Sequence, residues 1–236
     1  MQNILLFFKE HTVIILASAC VPWSGFFLWK LRDKLGLSGW KLVLAPFIYV
    51  IVGLLSIVVF SIIHDISQLQ NFSLHHQGML IVFPLFFPLA AKLLKKDWLD
   101  VSDCLTVSIP GIVALLKCFC FIHGCCYGGF IPGTTTRWPI REAFIILNCL
   151  ICFVYLIIIN KKHMKGIVLP CYLIVYGLFR IIEVSLRADP TWVHNTGDRI
   201  FAYVSIILGL LLFSVIAELN EREKKHTVQK KKSRSS

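Results

Sequence analysis

The segment KCFCFIHGCCYGG, residues 117–129, places a lysine, a histidine and four of the chain's nine cysteines directly after the apolar run SIPGIVALL. Such a thiol cluster could hold zinc, exchange disulfides, or pack. Zinc ligands usually come in pairs two to four residues apart, whereas Cys125 and Cys126 are adjacent and poorly placed to point at one metal. A redox dithiol would pair Cys118 with Cys120, or the vicinal Cys125 with Cys126. Use as small apolar packing residues is the simplest reading of the thiols. On a helix that continues past Lys117, the residues Lys117, Cys120 and Gly124 share one face. Gly124 and Gly128 then make a small-xxx-small pair that admits a second backbone or a lipid head group.

Two other stretches carry ionisable groups beside apolar sequence. In YGLFRIIEVSLRAD, residues 176–189, the spacing of Tyr176, Arg180, Glu183 and Arg187 predicts a single helical face. Glu183 can pair with either arginine there. One use of the set is a buried ion-pair strut between helices. The other is a phosphate receptor, because guanidinium offers a planar, two-pronged donor. In SLHHQGM, residues 73–79, a histidine could act as a general base near neutral pH, or merely hydrogen-bond head groups.

The elements that must position these groups follow from composition. With 57% hydrophobic residues, 16% charged residues and a mean hydropathy of +0.75, the chain is too apolar for a water-soluble globule of 236 residues. It is predicted to be an all-α polytopic membrane protein. Windows near the length of a membrane-crossing helix fall at about 13–29, 42–63, 74–91, 104–122, 143–160, 166–183 and 199–217, which predicts seven spans. Lys9 and Glu10 are not followed by a small-residue cleavage pattern, so the first span is expected to be retained.

Basic residues test that count, since they collect on the cytoplasmic side. Most of the 24 lysines and arginines fall in the first, third and fifth loops and in the tail beyond residue 217. The pattern predicts an outward N-terminus and a cytoplasmic C-terminus, with one transmembrane domain over 1–217 and a basic tail over 218–236. The net charge of +11 therefore points to an anionic leaflet rather than to nucleic acid. The tail itself reads as a disordered topology anchor, with lipid head-group binding by Lys230 to Arg234 as the other possibility. Ionisable groups at membrane depth are costly and usually line a polar cavity or a substrate path, so the three segments above define the candidate site.

Taken together, those segments resemble the prolipoprotein diacylglyceryl transferase family of bacterial inner membranes. The family's fourth span carries an arginine followed by Gly-Asn-Phe or Gly-Cys-Phe and often finishes as Gly-Cys-Cys-Tyr-Gly. Phe121, Gly124, Cys125, Cys126, Tyr127 and Gly128 match that form. The family's His-Gly-Gly appears as His76, Gln77 and Gly78. Its Tyr-Gly, paired arginines and aspartate appear as Tyr176, Gly177, Arg180, Arg187 and Asp189, while Pro139 and Glu142 resemble the start of its next helix. Lys117 stands where the family has arginine, Phe119 replaces the glycine two residues on, and Gln77 replaces the first glycine after the histidine.

The resemblance implies transfer of the diacylglyceryl group of phosphatidylglycerol to the lipobox cysteine of a prolipoprotein signal peptide, in the bacterial cytoplasmic membrane. It implies no metal and no dissociable cofactor. It also implies roles: His76, or its neighbour His75, as base; Lys117 and Arg180 against the departing phosphate; Arg187 and Glu183 in support of Arg180; Cys120, Gly124, Tyr127, Gly128 and Tyr176 as the wall of a pocket for membrane lipid. The alternatives are a lipid- or peptide-binding accessory protein that shares the fold, and a membrane thiol oxidoreductase.

Overall fold

A computed structural model describes residues 2–64, 77–123, 126–161, 165–188 and 192–232. These residues form ten α-helices: α1 (Gln2–Lys30), α2 (Arg32–Leu35), α3 (Trp40–His64), α4 (Gly78–Ile81), α5 (Phe87–Leu94), α6 (Trp98–Thr106), α7 (Ile109–His123), α8 (Ile140–Lys161), α9 (Val168–Leu186) and α10 (Trp192–Lys232). A short 3-10 helix, Phe83–Phe86, joins α4 to α5. Among the described residues the only strand-like pairings are two isolated antiparallel bridges, Gly128 with Arg187 and Phe130 with Arg137.

Five stretches are long and apolar enough to cross a membrane: Trp40–Ile63, Trp98–Ile122, Ile140–Lys161, Val168–Leu186 and Gly197–Arg222. The first predicted span falls within the 29-residue α1, and the third falls on a shorter apolar stretch, Met79–Leu94. The third is broken because Pro84 and Pro88 lack the N–H that a continuous helix requires, and each sits in the first turn of a new helical piece. The tail also departs from expectation, since α10 runs unbroken to Lys232 instead of ending in a disordered anchor.

The fourth span is two helices in series. Pro110 cannot donate to the carbonyl of Thr106, so the chain breaks at Val107–Ser108. Side chains from other helices bond to carbonyls on either side of the break. The Tyr49 hydroxyl donates to Leu105 O (2.7 Å), and Trp23 Nε1 donates to Ser108 O (3.3 Å). The break is thereby a junction of α1, α3 and α7.

Helices α9 and α10 approach closely because glycines face the contact. A Cβ on Gly177 would lie 2.6 Å from the Ala202 carbonyl oxygen, and one on Gly209 would lie 2.9 Å from that of Pro170. Gly177 is one turn from Arg180, and Ala202 one turn from Asp198, so this seam sets how near those two side chains come.

The basic segments meet at the opposite end of the bundle. Lys34 Nζ donates to Ile159 O (2.5 Å), Lys165 pairs with Asp100 (3.1 Å), and the Asn220 side chain holds both the N–H and the C=O of Lys165 (3.0 Å each). Asp103, fully buried on α6, accepts from Gly166 N (2.6 Å) and Val168 N (2.8 Å). It caps α9 from a neighbouring helix and so fixes the start of the helix that carries Arg180 and Glu183. Asp103→Ala would leave two buried N–H groups without their acceptor, at a cost of about 2–4 kcal/mol. A fall of several degrees in the melting temperature of the detergent-solubilised protein is expected; an unchanged melting temperature would show that the cap does not hold α9.

Candidate active site: a buried ionic cluster

Away from that basic end, three cations and two carboxylates converge. Lys117 (α7), Arg180 and Glu183 (α9) are each only 3% exposed. Lys117 is ion-paired with Glu183 Oε1, and its ammonium lies 5.0 Å from the centre of the Phe144 ring. Arg180 is forked: Nη1 meets Glu183 Oε2 (2.7 Å) and Nη2 meets Asp198 Oδ1 (2.7 Å). Arg187 reaches the other oxygen of Asp198 (3.3 Å). Gln77 Nε2 also donates to Asp198 Oδ1 (3.0 Å), which brings the segment before α4 into the cluster.

Among the described residues, two carboxylates stand against three cations in a poorly solvated site. Arg180 Nε and Gln77 Oε1 are buried with no hydrogen-bond partner among the described residues. Burying charges costs several kcal/mol apiece unless they are paired. A buried guanidinium donor without a partner among the described residues is suited to receive an anion.

Tyr176 forms the floor of this site through ring contacts with Phe144, Tyr172 and Phe201 at 6.1–6.3 Å between centroids. The predicted single helical face holds for Tyr176, Arg180 and Glu183. Arg187 lies just past the end of α9 in an extended conformation (φ −75°, ψ 144°) and reaches the cluster from there. Glu183 takes Arg180 and Lys117, and Asp198, which the spacing argument does not include, takes Arg187. Asp198 escapes a sequence reading because it precedes the last apolar run by one residue. Its signal is the charge count itself: three cations set against Glu183 alone call for a second acid.

The predicted helix past Lys117 ends at His123, so Gly128 is not part of a helical small-xxx-small pair. It lies in an extended return strap. Gly129 N donates to Leu186 O (2.7 Å), Ala188 N to Tyr127 O (3.0 Å) and Trp138 N to Gly129 O (3.0 Å). A Cβ at Gly128 would overlap the Trp138 carbonyl oxygen, so glycine is required there by the closeness of two backbones. Tyr127 is 41% exposed, and the guanidinium of Arg141 stacks 4.2 Å from its ring centre. Arg141 Nη1 donates to Cys120 O (3.4 Å), tying α8 to the last turn of α7.

Cys120 and Cys126 lie with their sulfurs 3.8 Å apart. The hydrogen bond with Cys120, followed by the nearby charges of Lys117 and Arg187, holds the Cys126 thiol down to about 5 against the opposing effect of burial. Among the described residues no three His, Cys, Asp or Glu side chains converge as a metal-binding group. The predicted base His76, its neighbour His75 and the pocket residue Gly124 lie outside the described residues, as does Asp189.

An apolar groove of about 170 Å³ runs between the start of α8 and the end of α9, lined by Trp138, Ala143, Phe144, Phe179 and Ile182 and closed by Glu183. Its lining includes Ile182, which is half exposed on α9, and Glu183, which also belongs to the ionic cluster.

Apolar helices long enough to cross a bilayer, enclosing a buried cluster of ion pairs, define a polytopic membrane protein with an ionisable centre. A family model described as prolipoprotein diacylglyceryl transferase matches residues 19–216, and the chain belongs to that family. It is similar to the phosphatidylglycerol–prolipoprotein diacylglyceryl transferase of Clostridium tetani, with 30% identity over 141 residues, or 51% of this chain and 56% of that protein. It is also similar to the transferase of the same name from Clostridium kluyveri, with 22% identity over 170 residues, covering 62% and 67% of the two chains. The chain thus matches little more than half the length of the first relative.

Asp198→Ala would leave the guanidinium groups of Arg180 and Arg187 facing each other without their shared acid. A loss of about 3–5 kcal/mol is expected, read as a large drop in melting temperature, with Asp198→Asn losing less. Equal stability of Asp198→Ala and the parent would refute the clasp.

Proposed function

We propose that the protein transfers the diacylglyceryl group of phosphatidylglycerol to the cysteine thiol of a prolipoprotein lipobox, forming a thioether and releasing glycerol phosphate. The carrying observation is the buried convergence of Lys117 and Arg180 with Glu183 and Asp198, in which Arg180 Nε has no hydrogen-bond partner among the described residues; such a site suits an anionic phosphodiester at membrane depth. Membership of the family and the names of the relatives support the same substrates. The groove between α8 and α9 has the apolar lining an acyl chain requires and shares Glu183 with the cluster.

In this reading the acceptor thiol loses its proton and its sulfur attacks the glyceryl carbon that bears the phosphate ester. A carbon–sulfur bond forms, the carbon–oxygen bond breaks, and glycerol phosphate leaves with the electron pair. Negative charge grows on the departing phosphate oxygen. Arg180, with its Nε–H unused, stabilises that charge where the dielectric is low. Lys117 raises the local potential as a point charge rather than as a fork. Glu183 and Asp198 hold Arg180 in one orientation, and Arg187 is held by the same aspartate. His76, with His75 as its possible substitute, is the proposed base; its sequence neighbour Gln77 hydrogen-bonds Asp198. Tyr127, Gly128, Cys120 and Tyr176 shape the pocket, together with Gly124.

The same reading places the protein in the bacterial cytoplasmic membrane as one domain over residues 1–217, with seven spans and the N-terminus outside. The convergence of Lys34, Lys165 and the start of the tail at one end supports a cytoplasmic assignment for that end.

The test uses protein in detergent, labelled phosphatidylglycerol and a lipobox peptide, and follows label on the peptide cysteine. Arg180→Ala is expected to lower transfer by about 100-fold or more, with Arg180→Lys intermediate. Wild-type protein that binds the lipid but transfers nothing would leave a binding or accessory role. Transfer by Arg180→Ala at the parent rate would remove the cluster from the chemistry.

A further inference from the structure

We infer that Cys120 and Cys126 form a redox-active dithiol, a modification site that takes up an intramolecular disulfide from a small-molecule disulfide oxidant. This goes beyond lipid transfer and does not rest on it. The sequence offers Cys118 with Cys120, or Cys125 with Cys126, as the natural pairs. On α7, however, Cys118 and Cys120 are two residues apart and point about 200° away from each other around the helix axis. The structure instead opposes Cys120, in the last turn of α7, to Cys126, on the strap that returns from it, at 3.8 Å between sulfurs.

The contact is built. Cys126 adopts a left-handed conformation, φ 59°. The residues after it are lashed by backbone hydrogen bonds to the end of α9 and to Trp138. On the helix side, Arg141 donates to the carbonyl of Cys120 itself. Both sulfurs are therefore on anchored backbone, within a side-chain rotation of bonding distance. Both residues are partly exposed, whereas Cys20, Cys104 and Cys152 are buried in the bundle.

The charges around Cys126 favour its thiolate, the form that attacks a disulfide. From α7 it faces Lys117 and Cys120; from the end of α9 it faces Arg187, with Glu183 as the opposing acid; from α8, Arg141 stands beside Cys120.

The exchange has two steps. The Cys126 thiolate attacks one sulfur of RS–SR, forming Cys126–S–S–R and releasing RS⁻, which takes up a proton. Cys120 then loses its proton, attacks the Cys126 sulfur and expels the second RS⁻. Two electrons pass from the two cysteines to the reagent, and two RSH are formed.

The test is chemical. Reduced full-length protein in detergent is incubated with oxidised glutathione, alkylated and digested with trypsin. Cleavage after Lys117 and Arg137 releases one peptide that carries Cys118, Cys120, Cys125 and Cys126. The peptide is expected to lose two hydrogens and to take up two fewer alkyl groups. Cys118→Ser and Cys125→Ser should retain the linkage, and Cys120→Ser and Cys126→Ser should each abolish it. Oxidation should proceed at an almost constant rate from about pH 8 to pH 6.5 and slow only as pH falls towards about 5, because below that value the thiolate is protonated. Full alkylation of all four cysteines after incubation, or a linkage that survives in Cys120→Ser or Cys126→Ser, would overturn the assignment. So would a rate that falls about tenfold per pH unit from pH 8 downward, as for an ordinary thiol. Lipid transfer is not read at any point, so the outcome is independent of the proposed function.

Discussion

Charge neutralisation away from water governs this structure. Lys117, Arg180 and Glu183 are almost wholly buried, and each would be prohibitive alone, since an unpaired buried ion costs several kcal/mol even after relaxation. The fold answers by bringing together helices that are distant in sequence. Gly177 and Gly209 let α9 and α10 approach until Asp198 reaches Arg180 and Arg187. The Asp103 cap sets where α9 begins, and so how far along the bundle its charges lie. Closing the bundle and assembling the site are one event.

Within the cluster, the two kinds of cation are used differently. Lys117 gives its ammonium to Glu183 and rests over the Phe144 ring, a compact arrangement that needs no planar geometry. Arg180 divides its fork between two acids and keeps Nε unengaged. A lysine at position 117 is therefore compatible with this site, because planar recognition is available from position 180.

Much of this was legible in the sequence, for identifiable reasons. Hydropathy located every apolar helix, and the spacing of Tyr176, Arg180 and Glu183 gave their common face because a helix of 3.6 residues per turn leaves no alternative. The breaks at Pro84, Pro88 and Pro110 could be read as proline chemistry, but not what fills them, since Tyr49 and Trp23 come from helices 50 or more residues away. Lys117, Arg180, Glu183 and Arg187 were found by their cost at membrane depth. Asp198 was missed because it sits at the edge of its apolar run, where an acid looks solvated, and its burial depends on a helix seam that no local pattern encodes. The end of α7 at His123 was also missed. Helical periodicity can be continued through HGCCYGG on paper, whereas Cys126 is left-handed and Gly128 is needed to fit against Trp138.

The pairing of Lys117 with Glu183 has a consequence for biogenesis. Arg180 and Glu183 are one turn apart, so α9 carries a neutral pair into the bilayer by itself. Helix α7 has no such internal partner, and the acid that meets its lysine is made 66 residues later. During synthesis α7 must therefore linger with its ammonium at a wet or protein-lined boundary until α9 has emerged. Final seating of α7 is a late step, coupled to insertion of α9 rather than to its own.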